Sequence, residues 1–267
     1  MIKKLLKKTF VYSLYKKYRK GKQKQLNLKE IKNRIANDTI LKDLTERELN
    51  HWKERIDIVI SSIDNQKINC VRHAGKLKGG LLVMHNGTVI EPLSYYGYPI
   101  LKMLVNNKGI HEPQEEYVFQ EVLKEMPEGA TMIELGAYWS FYSMWFNKEV
   151  KNANNYMIEP MNLDFGIMNF KLNKIEGNFF QYFVAAEPSV NENGIKVISV
   201  DRFIEDRNIH FVDILHSDIQ GDELLMLQGA YNLLSTGKAG YVFISTHSAQ
   251  LHTDCTQFMD NIGYTQV

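Results

Sequence analysis

The chain has 267 residues, of which 44% are hydrophobic and 24% charged, as expected for a globular protein with one sizeable domain and an extension. A formal net charge of +1 argues against a general attraction to nucleic acid, and no apolar run reaches the roughly 20 residues that span a bilayer. We therefore expect a cytoplasmic protein without a secretory signal, in which Cys70 and Cys255 are reduced thiols.

The first 24 residues carry ten lysines or arginines and no acidic residue. Apolar residues recur among them at roughly helical spacing, which predicts a basic amphipathic helix. One interpretation is that residues 1–24 bind an anionic membrane surface, which would make the protein peripheral on the inner face of the membrane. The alternative is a solvated arm, or a helix that packs on its own domain.

The chain from there to residue 110 is predicted to form helices and a small antiparallel element. A capping box precedes an amphipathic helix over residues 46–63. An Asn-Gly pair between two apolar segments predicts a hairpin within residues 66–93. A further helix is predicted to end at Gly109. We treat residues 1–110 as an N-terminal extension.

A second region, assigned to residues 111–267, alternates strands and helices. It begins with a helix near Pro113 that has Glu115 and Glu116 in its first turn, where the helix dipole favours acids. Apolar strands alternating with helices indicate a doubly wound α/β fold with a mostly parallel sheet. The five main strands are predicted at residues 131–135, 155–160, 179–186, 211–219 and 240–248, with an added short strand at 195–200 and later helices at 161–174, 222–235 and 250–261.

Acidic residues or a histidine stand at the carboxyl ends of four of these five strands. Glu134 is at the end of the first strand and Glu159 at the end of the second. Asp218 ends the fourth strand, and His247 the fifth. Ligands bind at this edge of a doubly wound sheet, so the sequence predicts the functional site there.

The loop after the first strand contains one glycine, Gly136, where a dinucleotide-binding loop has three. Tyr138 and Trp139 stand where the second glycine would be, which disfavours NAD and FAD. A nucleoside cofactor with an amino-acid end fits better, because Glu134 can face an ammonium group and Glu159 can bond a ribose diol. S-adenosylmethionine has both groups. Purely structural roles for the two acids are the alternative.

Five segments of the chain resemble, in order and spacing, the FkbM family of S-adenosylmethionine-dependent methyltransferases: "IELGAYWSFYS", "IEP", "FKLN", "DILHSDIQGDELLMLQGA" and "ISTHS". The resemblance implies a class I methyltransferase fold with a Rossmann-like sheet. A class I sheet normally ends in a further antiparallel pair of strands, so we expect the final strands to be absent or to lie beyond this sequence. It also implies O-methylation of a sugar hydroxyl in a polysaccharide, glycolipid or related glycan precursor. The cofactor-binding residues implied by position are Glu134, Gly136, Ala137, Tyr138, Ser140, Glu159 and Asp218.

Two positions depart from the family pattern. Ser140 stands where the family usually has glycine, and a left-handed backbone there would be strained. Gln220 stands where the family usually has glutamate, within a stretch that aligns Asp218, Gly221 and Glu223 with the family motif. These departures keep open a catalytically decayed binding protein. Another nucleotide-using, sugar-modifying enzyme is the second alternative.

A sugar hydroxyl is a poor nucleophile until its proton is removed. The fourth and fifth strands are neighbours in class I order, so we predict that His247 is the general base and that Asp218 orients it or the hydroxyl. The alternative is a structural role for both, and a divalent metal ion at Asp218 is a less favoured option. We interpret His216 as structural and His111 as a loop histidine, which in an alternative reading closes over the cofactor. The rings that follow Gly136 can pack on a sugar or on the sulfonium.

Overall fold

The computed structural model describes residues 27–190 and 194–266, so the predicted basic helix over residues 1–24 lies outside the described part. The described chain begins with helices and a small antiparallel sheet that precede the main α/β region. In chain order these elements are α1 (27–36), α2 (Glu46–Ser61), a 3-10 turn (Ile63–Gln66), β1 (Leu77–Lys78), β2 (Leu81–Val83), β3 (Val89–Ile90), α3 (Tyr98–Asn106) and α4 (Pro113–Leu123).

Local signals set two of these elements. Thr45 and Glu48 form the predicted capping box: the Thr45 backbone N–H donates to the Glu48 carboxylate, and the Glu48 N–H donates to the Thr45 hydroxyl. The predicted Asn-Gly hairpin joins β2 to β3, which pair in antiparallel fashion. Gly87 in its turn has φ 86°, a conformation that glycine adopts without strain.

The main sheet has five parallel strands, in the order β11 (Ala239–Ile244), β10 (Val212–Ser217), β4 (Thr131–Leu135), β5 (Asn154–Ile158) and β6 (Asn178–Phe180). The order reverses between β4 and β10, which is the switch point at which doubly wound sheets bind ligands. The predicted class I, Rossmann-like topology is therefore confirmed. The elements of this region are β4 (Thr131–Leu135), α5 (Phe141–Glu149), β5 (Asn154–Ile158), α6 (Asp164–Asn173), β6 (Asn178–Phe180), β7 (Phe183–Val184), β8 (Ser189–Val190), β9 (Lys196–Ile198), α7 (Val200–Glu205), β10 (Val212–Ser217), α8 (Glu223–Gln228), α9 (Tyr231–Ser235), β11 (Ala239–Ile244) and α10 (Ala249–Asn261).

Two predicted elements are divided. The strand predicted over residues 179–186 is two strands: β6 pairs with β5, whereas β7 pairs with β9 in a separate three-stranded sheet. The helix predicted over residues 222–235 is α8 and α9, with Gly229 between them. A Cβ at Gly229 would lie 2.3 Å from the Ala185 carbonyl oxygen, so a neighbouring segment approaches the chain closely at this break.

Two apolar clusters cover the two faces of the sheet. Alternation along β4 sends Met132 into one cluster and Ile133 into the other. The Met132 cluster also contains Ile31 and Leu101, so the chain before residue 111 shares a core with the sheet. Within the described ranges, no helix is long and apolar enough to cross a membrane.

Candidate active site at the carboxyl edge of the sheet

The loop after β4 turns sharply at Gly136, which has φ 74°. Its N–H and that of Ala137 both donate to the Ile158 carbonyl at the end of β5. A Cβ at Gly136 would lie 1.9 Å from the Asp218 carbonyl oxygen. The lone glycine is therefore required because the loop passes against the chain that leaves β10.

Two further residues of this loop adopt positive φ angles. Tyr138 has φ 32°, and Ser140, directly before α5, has φ 60°. Ser140 is buried and its hydroxyl has no hydrogen-bond partner. The strain expected for a left-handed Ser140 is present, and strained backbone of this kind clusters at functional sites.

The rings in this loop differ in their accessibility. Trp139 is buried and stacks against both Tyr95 and Phe141, with ring centroids 4.4 and 5.2 Å apart. Tyr138 is only partly buried, and its ring contacts Phe165 and aromatic residues of the 94–97 turn. Of the two rings, Tyr138 is therefore the one placed to contact a ligand.

Glu134 is buried on β4 and accepts a hydrogen bond from the Ser143 N–H at 3.1 Å. Burial raises the pKa of Glu134 to about 7, against the opposing effects of His216 and the Ser143 hydrogen bond. A cation that approached this carboxyl would favour its ionised form.

Glu159 follows β5 and is also buried. One carboxylate oxygen accepts hydrogen bonds from the Met161 and Asn162 N–H groups at 2.7 and 3.1 Å. The other accepts a longer bond of 3.3 Å from the Tyr138 N–H. The structural role considered for Glu159 is therefore real, but the second oxygen keeps a lone pair that a ribose hydroxyl could use.

Asp218 and His247 lie in contact, as predicted from the order of their strands. His247 Nε2 is 3.2 Å from an Asp218 carboxylate oxygen, and His247 Nδ1 is 2.7 Å from Glu223 Oε1. Glu223 Oε1 also accepts from the Gly221 N–H at 2.8 Å, while the buried Oε2 has no hydrogen-bond partner. The histidine is thus held between two carboxylates, one partly exposed and one buried.

Glu223 was aligned with the family motif, but its contact with His247 was not predicted. The two residues are 24 positions apart, and only the docking of α8 against the segment after β11 brings them together.

Burial raises the pKa of Asp218, the nearby Glu112 raises it further, and His247 opposes both.

A buried network of histidine and glutamate side chains lies close to the site. Glu116 lies between His85 Nε2, at 2.9 Å, and His111 Nδ1, at 2.5 Å. His216 Nε2 contacts Glu115 at 2.6 Å. The sequence indicated Glu115 and Glu116 only as acids at a helix N-terminus, and the histidine partners could not be read from local spacing. All three histidines are buried in contact with a glutamate, which supports the structural interpretation of His216.

The pKa values in this network follow from pairing. Burial lowers the pKa of His111, but Glu116 and Glu112 outweigh it and raise the value to about 10. Glu116 has its pKa lowered well below the usual range, because His111 and His85 outweigh the effect of burial. Among residues 27–190 and 194–266, no group of three or more His, Cys, Asp or Glu side chains could hold a metal ion.

The five-stranded parallel sheet and its switch point beside β4 have the strand order of a class I methyltransferase fold. The family described as "Methyltransferase FkbM domain" matches residues 81–265, which is more than half of the chain. The chain belongs to this family. The match begins 30 residues before the boundary expected at residue 111, inside the small antiparallel sheet.

Comparisons with curated proteins and with solved structures gave no match or only distant similarity. No curated protein matches the chain. A precorrin-6y C5,15-methyltransferase from Geobacter metallireducens GS-15 is similar with a TM-score of 0.42 and 14% identity, over 56% of this chain and 73% of that one. A putative protein-L-isoaspartate O-methyltransferase from Plasmodium falciparum, in complex with S-adenosyl-L-homocysteine, is similar with a TM-score of 0.29 and 12% identity, over 61% and 71%.

Proposed function

We propose that this protein is an S-adenosylmethionine-dependent O-methyltransferase that acts on a sugar hydroxyl of a polysaccharide, glycolipid or related glycan precursor. The observation that carries the proposal is the position of His247 between Asp218 and Glu223, at the same sheet edge as the loop after β4. A base with an orienting carboxylate is what deprotonation of a hydroxyl requires.

The residues around the loop after β4 fit the cofactor. Glu134 can pair with an ammonium group, because a neighbouring cation favours ionisation of a carboxyl whose pKa is about 7. Glu159 has remaining acceptor capacity for a ribose hydroxyl. The buried Ser140 hydroxyl, which has no partner, is a polar group that a ligand atom could satisfy. When bound, S-adenosylmethionine supplies a methyl group on a sulfonium, which a hydroxyl oxygen can attack.

His247, Glu223 and Asp218 would prepare that oxygen. Glu223 accepts the Nδ1–H hydrogen bond and so fixes the ring with Nε2 directed towards Asp218. An acceptor hydroxyl bound beside Nε2 and Asp218, which lie 3.2 Å apart, would give its proton to Nε2 as its oxygen attacks. The buried Glu223 carboxylate then stabilises the positive imidazolium.

Substitutions test these roles. His247→Ala and Glu223→Gln are expected to lower turnover by about 10² to 10⁴-fold, the usual contribution of general acid–base catalysis. Their affinity for S-adenosylhomocysteine should match that of the wild-type protein, because neither residue belongs to the proposed nucleoside site. Glu205→Gln is the matched control, since this exposed acid pairs with Arg202 on its own helix. Full turnover by His247→Ala would remove the base assignment.

A decayed binding protein is the second candidate. It is favoured by the Glu159 carboxylate, which already accepts three backbone N–H groups. Calorimetry with S-adenosylhomocysteine and NAD separates the candidates. Binding of the nucleoside alone supports methyl transfer, binding of NAD supports another nucleotide-using enzyme, and binding of neither supports the decayed protein.

We also propose that residues 1–24 attach a cytoplasmic protein to the inner face of a membrane. Support comes from their ten basic residues without an acid. Co-sedimentation with anionic vesicles should be lost on deletion of residues 1–24. Unchanged co-sedimentation would remove the proposal.

A further inference from the structure

Two segments place aromatic rings together above the carboxyl edge of the sheet: the turn at residues 94–97 and the loop after β4. Tyr95 stacks on Trp139 in a near-parallel arrangement, with an angle of 6° between the planes. Next to this stack, the Tyr96 ring lies 5.4 Å from the Tyr138 ring and 4.8 Å from that of Tyr95. The residues before α3 and the loop after β4 thus form one aromatic surface.

Tyr96 is the exposed member of this surface. It is 53% exposed, whereas Tyr95 is 8% and Trp139 5% exposed. Tyr96 also has φ 42°, and its neighbour Tyr138 has φ 32°, values that are rare for a bulky side chain. The turn therefore holds a tyrosine ring in solvent at a conformational cost that burial of this ring does not offset.

A single buried amide fixes both segments. Asn169 of α6 is fully buried, and its Nδ2 donates to the Ser94 hydroxyl at 3.3 Å and to the Trp139 carbonyl at 3.1 Å. Its Oδ1 accepts from the Glu91 N–H at 3.2 Å. The two aromatic segments therefore keep a fixed spacing, as expected for a preformed binding surface.

Charged groups of the proposed active site affect the pKa of the Tyr96 hydroxyl. Burial raises the pKa of Tyr96, and the nearby Asp218, Tyr138 and Glu159 add to this effect, while Arg55 of α2 opposes it. The exposed ring thus lies near Asp218 and Glu159, two acids of the proposed active site. An apolar face next to carboxylates and a guanidinium suits a ligand that has both C–H faces and hydroxyl groups.

We propose that Tyr96 and Tyr138 form the acceptor subsite, a platform on which the C–H face of a pyranose ring packs while its hydroxyls reach Asp218 and His247. This inference rests on the proposed function and names the residues that bind its acceptor. Tyr96 acts as a positioning residue that sets the ring of the sugar relative to the base.

The test uses the full chain and three methyl pyranosides of gluco, galacto and manno configuration as probes. Binding is measured by saturation-transfer NMR with S-adenosylhomocysteine present, and affinity for the nucleoside by calorimetry. The variants are Tyr96→Phe, which keeps the ring, Tyr96→Leu, which keeps apolar volume without it, and Tyr96→Ala. Tyr231→Ala is the matched control, because Tyr231 is 51% exposed on α9.

We expect the wild-type protein, Tyr96→Phe and Tyr231→Ala to bind at least one glycoside equally. Tyr96→Leu and Tyr96→Ala should bind it at least about tenfold more weakly, as expected for one lost aromatic contact. Nucleoside affinity should be unchanged in all of them.

Three results would overturn the platform: no glycoside binding by the wild-type protein, equal binding by Tyr96→Ala, or loss of nucleoside affinity in that variant. Absence of nucleoside binding by the wild-type protein would instead contradict the proposed function. The glycoside series is also measured without nucleoside. The effect of the Tyr96 substitutions on glycoside binding is then tested whether or not the wild-type protein binds the nucleoside.

Discussion

The loop after β4 shows why a strand ends in an acid, a glycine and then bulky residues. Gly136, Tyr138 and Ser140 all have positive φ angles, so the chain reverses direction tightly between β4 and α5. Glycine is required at the first position by contact with the chain after β10. At the other two positions the conformation is maintained against an intrinsic cost.

Replacing Gly136 tests the close contact. Gly136→Ala places a Cβ about 1.9 Å from a backbone oxygen in addition to its left-handed φ. Gly129 has a similar φ of 81°, but a Cβ there meets nothing within 4 Å, so Gly129→Ala is the matched control. We expect a loss of about 1 kcal/mol in the free energy of unfolding for the control and a loss at least about three times larger for Gly136→Ala. Equal losses in urea titrations would contradict the contact.

Ser140 allows the opposite change. Ser140→Gly removes a left-handed serine and a buried hydroxyl that has no partner. We expect the free energy of unfolding to rise by about 1 kcal/mol, because both costs exceed the greater flexibility of glycine in the unfolded chain. Asn152→Gly is the control, since asparagine at φ 54° already tolerates this conformation. A destabilised Ser140→Gly protein would show that the hydroxyl has a stabilising contact.

Among the secondary-structure elements, those whose bounds depend on neighbouring residues in the chain were predicted correctly. The strand predicted at residues 131–135 coincides with β4, and the helix after Thr45 has its predicted cap. The strand over residues 179–186 was wrong, because β7 leaves the main sheet to pair with β9. The single helix over residues 222–235 was also wrong, because the Asp201 carboxylate from α7 accepts the N–H groups at the start of α9. Partners distant in the chain have no signature in a short window.

Helix α4 carries the ionic network in its first turns, and its charges give a defined pH dependence. Because the pKa of Glu116 is lowered in the folded protein, its stabilisation is present above the unfolded value near 4.5 and is lost as pH falls. Because the pKa of His111 is raised to about 10, its stabilisation is complete below the unfolded value near 6.5 and is lost as pH rises through about 10. Both contributions to stability are therefore complete only between about pH 4.5 and pH 6.5, the pKa values of Glu116 and His111 in the unfolded chain.

Glu116→Gln is therefore expected to lower the free energy of unfolding by about 3 to 5 kcal/mol at pH 6, as when a buried ion pair loses one partner. The difference from the wild-type protein should shrink towards pH 10, where His111 loses its charge. Glu128→Gln is the control, because its pair with Lys151 is exposed and is worth at most about 1 kcal/mol. Urea unfolding at both pH values measures these differences, and equal losses at pH 6 would contradict a buried network.

At the scale of the whole molecule, one sheet brings together residues that the sequence could only place at separate strand ends. Strand order predicted the contact between Asp218 and His247. The contact between His247 and Glu223, and the aromatic surface from Tyr96 to Tyr138, depend on how helices and loops pack above that edge. Side-chain packing between distant segments is decided by the folded core and not by spacing.

The shared core makes a prediction about the expected boundary at residue 111. A fragment that starts at residue 111 would lose the side chains that the earlier residues add to the shared apolar cluster, among them Ile31, Leu82 and Leu101, and would expose the side chains packed against them. We expect such a fragment to lose cooperative urea unfolding, while the full chain unfolds in a single transition. A fragment with a cooperative transition of its own would show that residues 111–267 fold independently.

The proposed methyl transfer requires that the ends of β4 and β5 bind S-adenosylmethionine. A crystal of the full chain soaked with S-adenosylhomocysteine is the decisive experiment. We expect the nucleoside beside the loop at residues 136–140, with its ribose hydroxyls on Glu159 and its ammonium group near Glu134. Nucleoside density elsewhere, or none while the Tyr138 ring fills that space, would contradict it.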